Sequence, residues 1–189
     1  MKKEGSRYRL SPSDLVNFTR SEFITWMDRY ACERPGEIHP DPDSEEQRII
    51  QDKGIEHEQA FLDSLEAQGR RVCDLSNFRG TPEPTLDAMR RGEEIIYQGY
   101  LVNGEFAGYP DFLVRVESPS GLGAWSYEPW DTKLARHPKP YFLIQLCCYA
   151  EMLELARACG RSTCGWSWGG PMPNQRCSAR MIFSTITVS

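Results

Sequence analysis

Apolar residues recur with helical spacing near the start of the chain and predict a helix there. Residues 11–14 read Ser-Pro-Ser-Asp, which places a proline in the first turn and offers side chains that cap a helix N-terminus. The apolar stripe that follows consists of Leu15, Phe18, Phe23, Trp26 and Met27. Residues 35–44 hold three prolines and a glycine, and they therefore predict a loop.

A second helix is predicted from about Glu45 to Gln68. Gly69 supplies its C-terminal stop, and Gly54 interrupts it at a position where we expect a bend. We expect its inward face to consist of Ile49, Ile50, Phe61, Leu62 and Leu65. A last helix is predicted from near Tyr141, after a proline break, with an apolar side formed by Leu143, Leu146, Ala150 and Leu153.

Strand patterns fill the region between these helices. Residues 71–75 predict a short strand, and residues 84–91 predict a short helix that ends at a glycine. Residues 95–102 predict the next strand, which leads into Asn103-Gly104, a dipeptide typical of a two-residue hairpin turn.

The return strand of this hairpin is predicted over residues 105–116, with Asp111 on one face. The opposite face holds Phe112, Val114 and Val116. After a Pro/Gly/Ser-rich turn, residues 125–134 predict a further strand. Helices, then strands, then a helix predict an α/β fold with a mixed central sheet flanked by helices.

The composition is that of one globular domain. The chain has 189 residues, 40% hydrophobic and 26% charged, with a net charge of −5. That charge argues against a general basic surface for nucleic acid but leaves a local active site possible. The sequence has no apolar run long enough to span a membrane and no signal peptide, so we expect a cytoplasmic protein without a membrane partner. Seven cysteines, an odd number, favour reduced thiols.

The composition changes after Glu154. All 27 acidic residues lie in residues 1–154, and none lies in residues 155–189. Residues 1–154 are therefore predicted to form the domain, and residues 155–189 an atypical tail that is out of frame or disordered. The alternative is a basic, glycine-rich tail that wraps the domain or binds a partner.

Two carboxylates and a lysine carry the candidate chemistry. Asp111 and Asp131 lie on strands that are neighbours in sequence, and the period of a strand points Asp131 and Lys133 to the same face. A carboxylate pair can hold Mg²⁺ or Mn²⁺, with the carbonyl of Thr132 as a further ligand. A lysine beside them can contact the attacking water or a scissile phosphate.

Two helices offer residues that would complete such a site. Either His57 or Glu58 could face inward from the second helix, and an imidazole ligand would shift the preference toward Mn²⁺. Gln145 and Tyr149 are four residues apart on the last helix and share a face. Three aromatic residues near the site could stack on single-stranded bases, although we expect at least two of them to pack in the core: Tyr109, Trp125 and Trp130.

These motifs together resemble the PD-(D/E)XK nuclease superfamily, and more closely its RecB-like nucleases related to CRISPR-associated exonucleases. The resemblance covers about residues 8–154, and its motifs occur in the family's order. They are Gly54-x-x-His57-Glu58, Gly108-Tyr109-Pro110-Asp111, Asp131-Thr132-Lys133 and Gln145-x-x-x-Tyr149. The residues that open the first helix are similar to that subgroup's start.

The resemblance implies a restriction-endonuclease-like core and a Mg²⁺- or Mn²⁺-dependent DNA nuclease. It implies His57, Asp111 and Asp131 as metal ligands, Lys133 as a catalytic residue, and two supporting residues, Gln145 and Tyr149. Relatives often hold an iron–sulfur cluster, but Ser21 stands at one cluster position here, so we expect none. Such proteins are also usually longer at the C-terminus.

We therefore expect a DNA nuclease, an exonuclease or a structure-selective endonuclease, that hydrolyses phosphodiester bonds with metal-activated water. Two alternatives stay open. One is an inactive, truncated fragment with a nuclease fold. The other is a nucleic-acid-binding module that acts only inside a larger repair or CRISPR-type assembly, with a partner such as a helicase.

Overall fold

The computed structural model describes residues 1–39, 41–133, 139–158 and 180–183. The helices are α1 (Pro12–Arg20), α2 (Glu22–Glu33), α3 (Glu45–Ala67), α4 (Glu83–Arg91) and α5 (Pro140–Ala158). The strands are β1 (Lys2–Glu4), β2 (Arg7–Arg9), β3 (Val72–Asp74), β4 (Ile95–Tyr97), β5 (Leu101–Asn103), β6 (Phe106–Gly108), β7 (Phe112–Val116), β8 (Ser126–Lys133) and β9 (Arg180–Phe183).

A five-stranded sheet in the order β3-β4-β7-β8-β9 forms the centre of the fold. Its pairs β3/β4 and β8/β9 are parallel, and β4/β7 and β7/β8 are antiparallel. The predicted mixed sheet flanked by helices is therefore confirmed. The N-terminal hairpin β1/β2 and the hairpin β5/β6 form two further, two-stranded sheets.

Helices cover both faces of the central sheet. Successive side chains of its strands point to opposite faces, and the apolar ones form a hydrophobic cluster on each face. Phe112 and Val114 of β7 point to the face that α3 covers with Leu62 and Leu65. Leu113, between them, points to the opposite face, where α4 and α5 contribute Ala88, Met89, Cys148, Met152, Leu153 and Ala156. This arrangement fixes β7 and β8 between two helical layers.

The predicted start of α1 is confirmed. Ser11 caps the helix, since its hydroxyl accepts a hydrogen bond from the backbone N–H of Asp14, and the Asp14 carboxylate accepts one from the backbone N–H of Ser11 at 2.7 Å. The single apolar stripe predicted beyond it is wrong. The chain breaks at Ser21 into two helices, and Phe23 and Trp26 of α2 are 65% and 56% exposed.

Helix α3 follows the predicted span and runs through Gly54 without interruption. Gly69 ends it with a left-handed φ of 75°. Leu62 and Leu65 are buried as predicted, but Ile49 and Ile50 are 48% and 67% exposed, so the prediction for them is wrong. Only the C-terminal half of α3 packs on the sheet, which leaves its first turns in solvent.

The two long hairpin strands predicted around Asn103 are each divided in two. The first is interrupted at Gln98, which has a left-handed φ of 53°, and the second is interrupted before β7. Gly104, with a φ of 54°, and Glu105 form the turn, and Asn103 pairs with Phe106. The hairpin is therefore present, with its turn one residue later than the dipeptide predicts.

Helix α5 begins at Pro140, close to the predicted start, and extends to Ala158. Leu146, Ala150 and Leu153 are buried as predicted, whereas Leu143 is 55% exposed and Cys147 is exposed on the outer side. Residues 180–183 of the predicted tail form β9, and the division at residue 154 stays a prediction. Among the described residues, no helix is long and apolar enough to cross a membrane.

Candidate functional site

The candidate site lies at one end of the central sheet, where β7 begins and β8 ends. The two strands are antiparallel neighbours, with Phe112 opposite Trp130. Asp111 directly precedes β7, and Asp131 and Lys133 are at the end of β8, so all three reach the same end. The predicted adjacency of the two strands is confirmed, although Asp111 lies just before β7 and not within it.

Asp111 is bound to the end of β8 through Thr132. Its Oδ2 atom accepts a hydrogen bond from the backbone N–H of Thr132 at 2.8 Å and another from the Thr132 hydroxyl at 3.0 Å. The Asp111 backbone is held from the other side, since its carbonyl accepts a hydrogen bond from the N–H of Gln98 at 3.0 Å. The carboxylate is therefore fixed in position before any ligand binds.

Asp131 is the most buried carboxylate of the site, with 3% of its surface exposed. Its Oδ1 atom accepts a hydrogen bond from Lys133 Nζ at 2.8 Å, whereas its Oδ2 atom has no hydrogen-bond partner among the described residues. Burial and the negative charge of Asp111 raise the pKa of Asp131 to about 7, and the attraction of Lys133 only partly opposes them. A further positive charge beside Asp131, in addition to Lys133, would therefore stabilise the state in which both Asp111 and Asp131 are ionised.

Lys133 lies between the carboxylates and α5. Burial lowers the pKa of Lys133, but the charges of Asp131 and Asp111 outweigh it, so the pKa is above its usual value and the side chain stays protonated. Its Nζ atom lies 5.9 Å from the ring centroid of Phe142, at the start of α5. A charged, partly shielded ammonium group next to two carboxylates can neutralise a further anion, such as a phosphate.

The side chain from α3 that joins this site is Glu58. It accepts a hydrogen bond from Gln98 Nε2 at 2.6 Å. Burial and the charge of Asp111 raise the pKa of Glu58, which places it in the same electrostatic environment as the strand carboxylates. Gln98 therefore links α3 to Asp111, with its side chain on Glu58 and its backbone on the carbonyl of Asp111.

His57, the other residue predicted from this helix, is half-buried one position before Glu58. Successive side chains of an α-helix leave it about 100° apart. Glu58 is hydrogen-bonded to Gln98, which also contacts the Asp111 backbone, so His57 leaves the helix in a different direction from the side chain that has this link. Of the two alternatives that the sequence left open, the geometry favours Glu58, and a metal-ligand role for His57 stays a prediction.

Tyr149 on α5 supports the strand segment that carries Asp111. Its hydroxyl donates a hydrogen bond to the backbone carbonyl of Tyr109 at 3.0 Å. Burial raises the pKa of Tyr149, and the charges of Asp131 and Asp111 raise it further, so the hydroxyl stays protonated. Gln145 is half-buried one turn earlier on the same helix face.

Two residues next to the site were missed from the sequence. Gln98 bridges Glu58 and Asp111, and Phe142 packs over Lys133. The signal for Gln98 is weak: a polar residue within an apolar strand pattern, followed by Gly99. Its left-handed backbone is sparsely populated for a residue with a side chain, and such conformations cluster at functional sites.

The donor atoms fit a hard divalent cation better than a soft one. Within the described ranges, no group of three His, Cys, Asp or Glu side chains is arranged to hold a metal ion. Mg²⁺ usually takes only one or two protein carboxylates and keeps several waters. Asp111 and Asp131 provide such a pair, and the unpartnered Oδ2 of Asp131 offers a free ligand atom. Thr132 is bound to Asp111, and its carbonyl stays a predicted ligand.

Comparisons of this chain with protein-family models, curated proteins and solved structures find no match. Three cysteines of the predicted tail, Cys159, Cys164 and Cys177, lie outside the described residues, so the expectation of no iron–sulfur cluster stays a prediction. The geometry and the sequence motifs therefore carry the functional argument between them.

Proposed function

We propose that this chain is a metal-dependent DNA nuclease with a restriction-endonuclease-like core. One observation carries the proposal: Asp131, buried and bonded to Lys133 at 2.8 Å, lies at the same end of the sheet as Asp111. Carboxylates with raised pKa values beside a lysine are typical of catalytic sites. The proposal includes DNA as the substrate and Mg²⁺ or Mn²⁺ as the cofactor.

Asp111 and Asp131 would hold the cation, with Glu58 within electrostatic reach of it. A cation held there would supply an activated water and polarise the scissile phosphate. The hydrogen bonds from Thr132 keep the Asp111 carboxylate in place, so little reorganisation is needed when the cation binds. Only ionised Asp131 can act as a ligand, which makes its protonation compete with cation binding.

Lys133 has two functions in this proposal. In the free protein its Nζ atom compensates the buried charge of Asp131. When substrate binds, the same ammonium group can turn toward a phosphate oxygen and stabilise the negative charge that develops there. Phe142 limits the space around the ammonium group and partly shields it from water.

The decisive experiment is a cleavage assay with linear single-stranded and double-stranded DNA, with Mg²⁺, with Mn²⁺ and with EDTA. Asp131→Ala and Lys133→Ala should each abolish metal-dependent cleavage, since they remove a ligand and the charge at the phosphate. Lys53→Ala, at an exposed position on α3, is the matched control and should cleave like the wild type. Full activity in both site variants would contradict the proposal.

A further inference from the structure

An arginine and two tyrosines form a stacked cluster. Its central residue is Tyr109, which lies two positions before Asp111 in the chain. The guanidinium group of Arg79 lies over the ring of Tyr109, 4.7 Å from its centroid. The ring of Tyr100 contacts the same tyrosine, with 4.6 Å between centroids. Arg79 is exposed, whereas both tyrosines are half-buried. The cluster thus presents a cationic group to solvent on an aromatic support.

The central ring of this cluster is held at both ends. The hydroxyl of Tyr109 accepts a hydrogen bond from the backbone N–H of Gly80 at 2.7 Å, and its carbonyl accepts one from the Tyr149 hydroxyl at 3.0 Å. Tyr109 precedes Asp111 by two residues, which corresponds to about 7 Å of extended backbone. The ring therefore connects Arg79 to the backbone segment that leads directly into Asp111.

Arg79 has no ion pair within the part of the chain that the structure describes, in contrast to the two arginines at the end of α4. Arg90 pairs with Asp87, and Arg91 pairs with Glu93. Arg79 instead contacts Tyr109, and such a cation–π contact leaves the N–H donors at the edge of the guanidinium plane available. Its charge is therefore free to bind an anion.

A phosphodiester strand needs such a contact here. The centre holds Asp111, Asp131 and Glu58 against one lysine, and the chain as a whole carries a net charge of −5. A polyanion that approaches these carboxylates is repelled unless cationic groups flank the scissile phosphate. The planar donor fork of arginine matches the oxygen atoms of a phosphate group.

We propose that Arg79 binds a phosphate of the nucleic-acid strand beside the scissile bond, and that Tyr109 is a positioning residue that holds Arg79 there. The inference rests on the proposed function, which supplies the phosphodiester ligand. It also assigns Tyr109 a supporting role under Arg79 in place of base stacking.

The test measures binding of a fluorescein-labelled oligothymidylate of 12 nucleotides in EDTA, so that no cleavage is required. Arg79→Met should weaken binding about tenfold, the usual size of a lost charge-assisted contact. The slope of log affinity against log salt should fall by about 0.7, as expected for one lost phosphate contact to a single strand. Arg90→Met removes another exposed arginine and should change neither quantity.

The role of Tyr109 is tested by a double-mutant cycle. Tyr109→Leu should weaken binding when it is made in the otherwise wild-type protein. Made in the Arg79→Met variant, it should cause little further loss of affinity, because Tyr109 acts through the arginine. Tyr109→Phe keeps the ring and should retain most of the affinity. A purely structural role for Tyr109 would give additive losses and a wild-type salt slope, which would overturn its assignment as a positioning residue.

Two outcomes separate this inference from the nuclease proposal. Arg79-dependent binding in EDTA, together with no cleavage under any metal condition, supports the inference and contradicts the nuclease activity. Metal-dependent cleavage with wild-type binding, salt slope and KM in Arg79→Met overturns the inference and leaves the activity intact. Failure of the wild-type protein to bind the oligonucleotide at low salt also overturns the inference.

Discussion

Thr132 donates two hydrogen bonds to the carboxylate of Asp111, one from its backbone N–H at 2.8 Å and one from its hydroxyl at 3.0 Å. The two carboxylates of the site are therefore held by different partners, since Asp131 is bonded to Lys133. Each carboxylate is thus held in place independently, although the two negative charges repel each other in a buried environment. That repulsion is unfavourable in the metal-free protein, and a metal cation bound between the carboxylates would relieve it.

Thr132→Val should lower both stability and cleavage. The substitution removes the hydroxyl donor and leaves the backbone donor, so we expect a loss of about 1 kcal/mol in the free energy of unfolding. Cleavage should fall about fivefold because Asp111 becomes less well oriented. Urea unfolding and initial cleavage rates measure the two effects. Thr132→Ser retains the hydroxyl and should restore most of the activity; a valine variant with wild-type rates would contradict the positioning role.

The stability of the metal-free protein should depend on pH through Asp131. Its folded-state pKa of about 7 is above the ordinary value of 3.8. Between these values the folded state holds a proton that the unfolded state has lost, so the contribution of Asp131 to stability decreases as the pH rises through this window. Asp131→Asn has no titrating group, and urea unfolding in EDTA should show it gaining stability relative to wild type from pH 4.5 to pH 8.

Mg²⁺ provides the matching control for this pH dependence. The cation binds only the ionised pair, so it should stabilise the wild-type protein more at pH 8 than at pH 5. Asp131→Asn should lose most of this stabilisation. Stability curves of wild type and variant that run parallel across the pH range would show that Asp131 does not titrate with a raised pKa.

Glu58→Gln should weaken metal binding more than His57→Gln. Glu58 is the α3 carboxylate whose pKa is raised by burial and by Asp111, so its neutralisation removes negative charge that attracts the cation. We expect about a tenfold loss of Mn²⁺ affinity for Glu58→Gln, in line with losses at residues that support metal ligands. Isothermal titration with Mn²⁺ measures both variants, and the reverse order would identify His57 as the helical ligand.

Two glycine substitutions should change stability in opposite directions. A Cβ atom at Gly108 would lie 2.9 Å from Pro12 Cδ and 3.0 Å from Tyr149 Cε1, so Gly108→Ala should destabilise the protein by about 1–3 kcal/mol. Gly54 lies within α3 with no such neighbour within 4 Å, so Gly54→Ala should stabilise it by about 0.5–1 kcal/mol. Thermal unfolding of the two variants and the wild type measures the change in stability that each substitution causes. Equal shifts of the two variants would show that α1 and α5 do not pack closely at Gly108.

Local signals in the sequence predicted the elements whose ends depend on a few neighbouring residues. The cap at Ser11, the left-handed stop at Gly69 and the end of α4 at Gly92 were all predictable, because such caps need only residues within one turn. Exposure was less predictable. Apolar spacing placed Phe23 on a helical stripe and Ile50 on an inward face, yet both side chains are largely exposed.

Local spacing in the sequence was enough to predict the candidate residues Asp111, Asp131 and Lys133, because Asp111 and Asp131 fall at neighbouring strands and the period of a strand keeps Lys133 beside Asp131. Which residues complete the candidate site, including the choice between His57 and Glu58, depends on packing between distant segments. Glu58, Gln98 and Phe142 join it through hydrogen bonds and a ring contact between elements far apart in the chain. Such contacts depend on how α3 and α5 pack around the sheet, and no local pattern of residues encodes that packing.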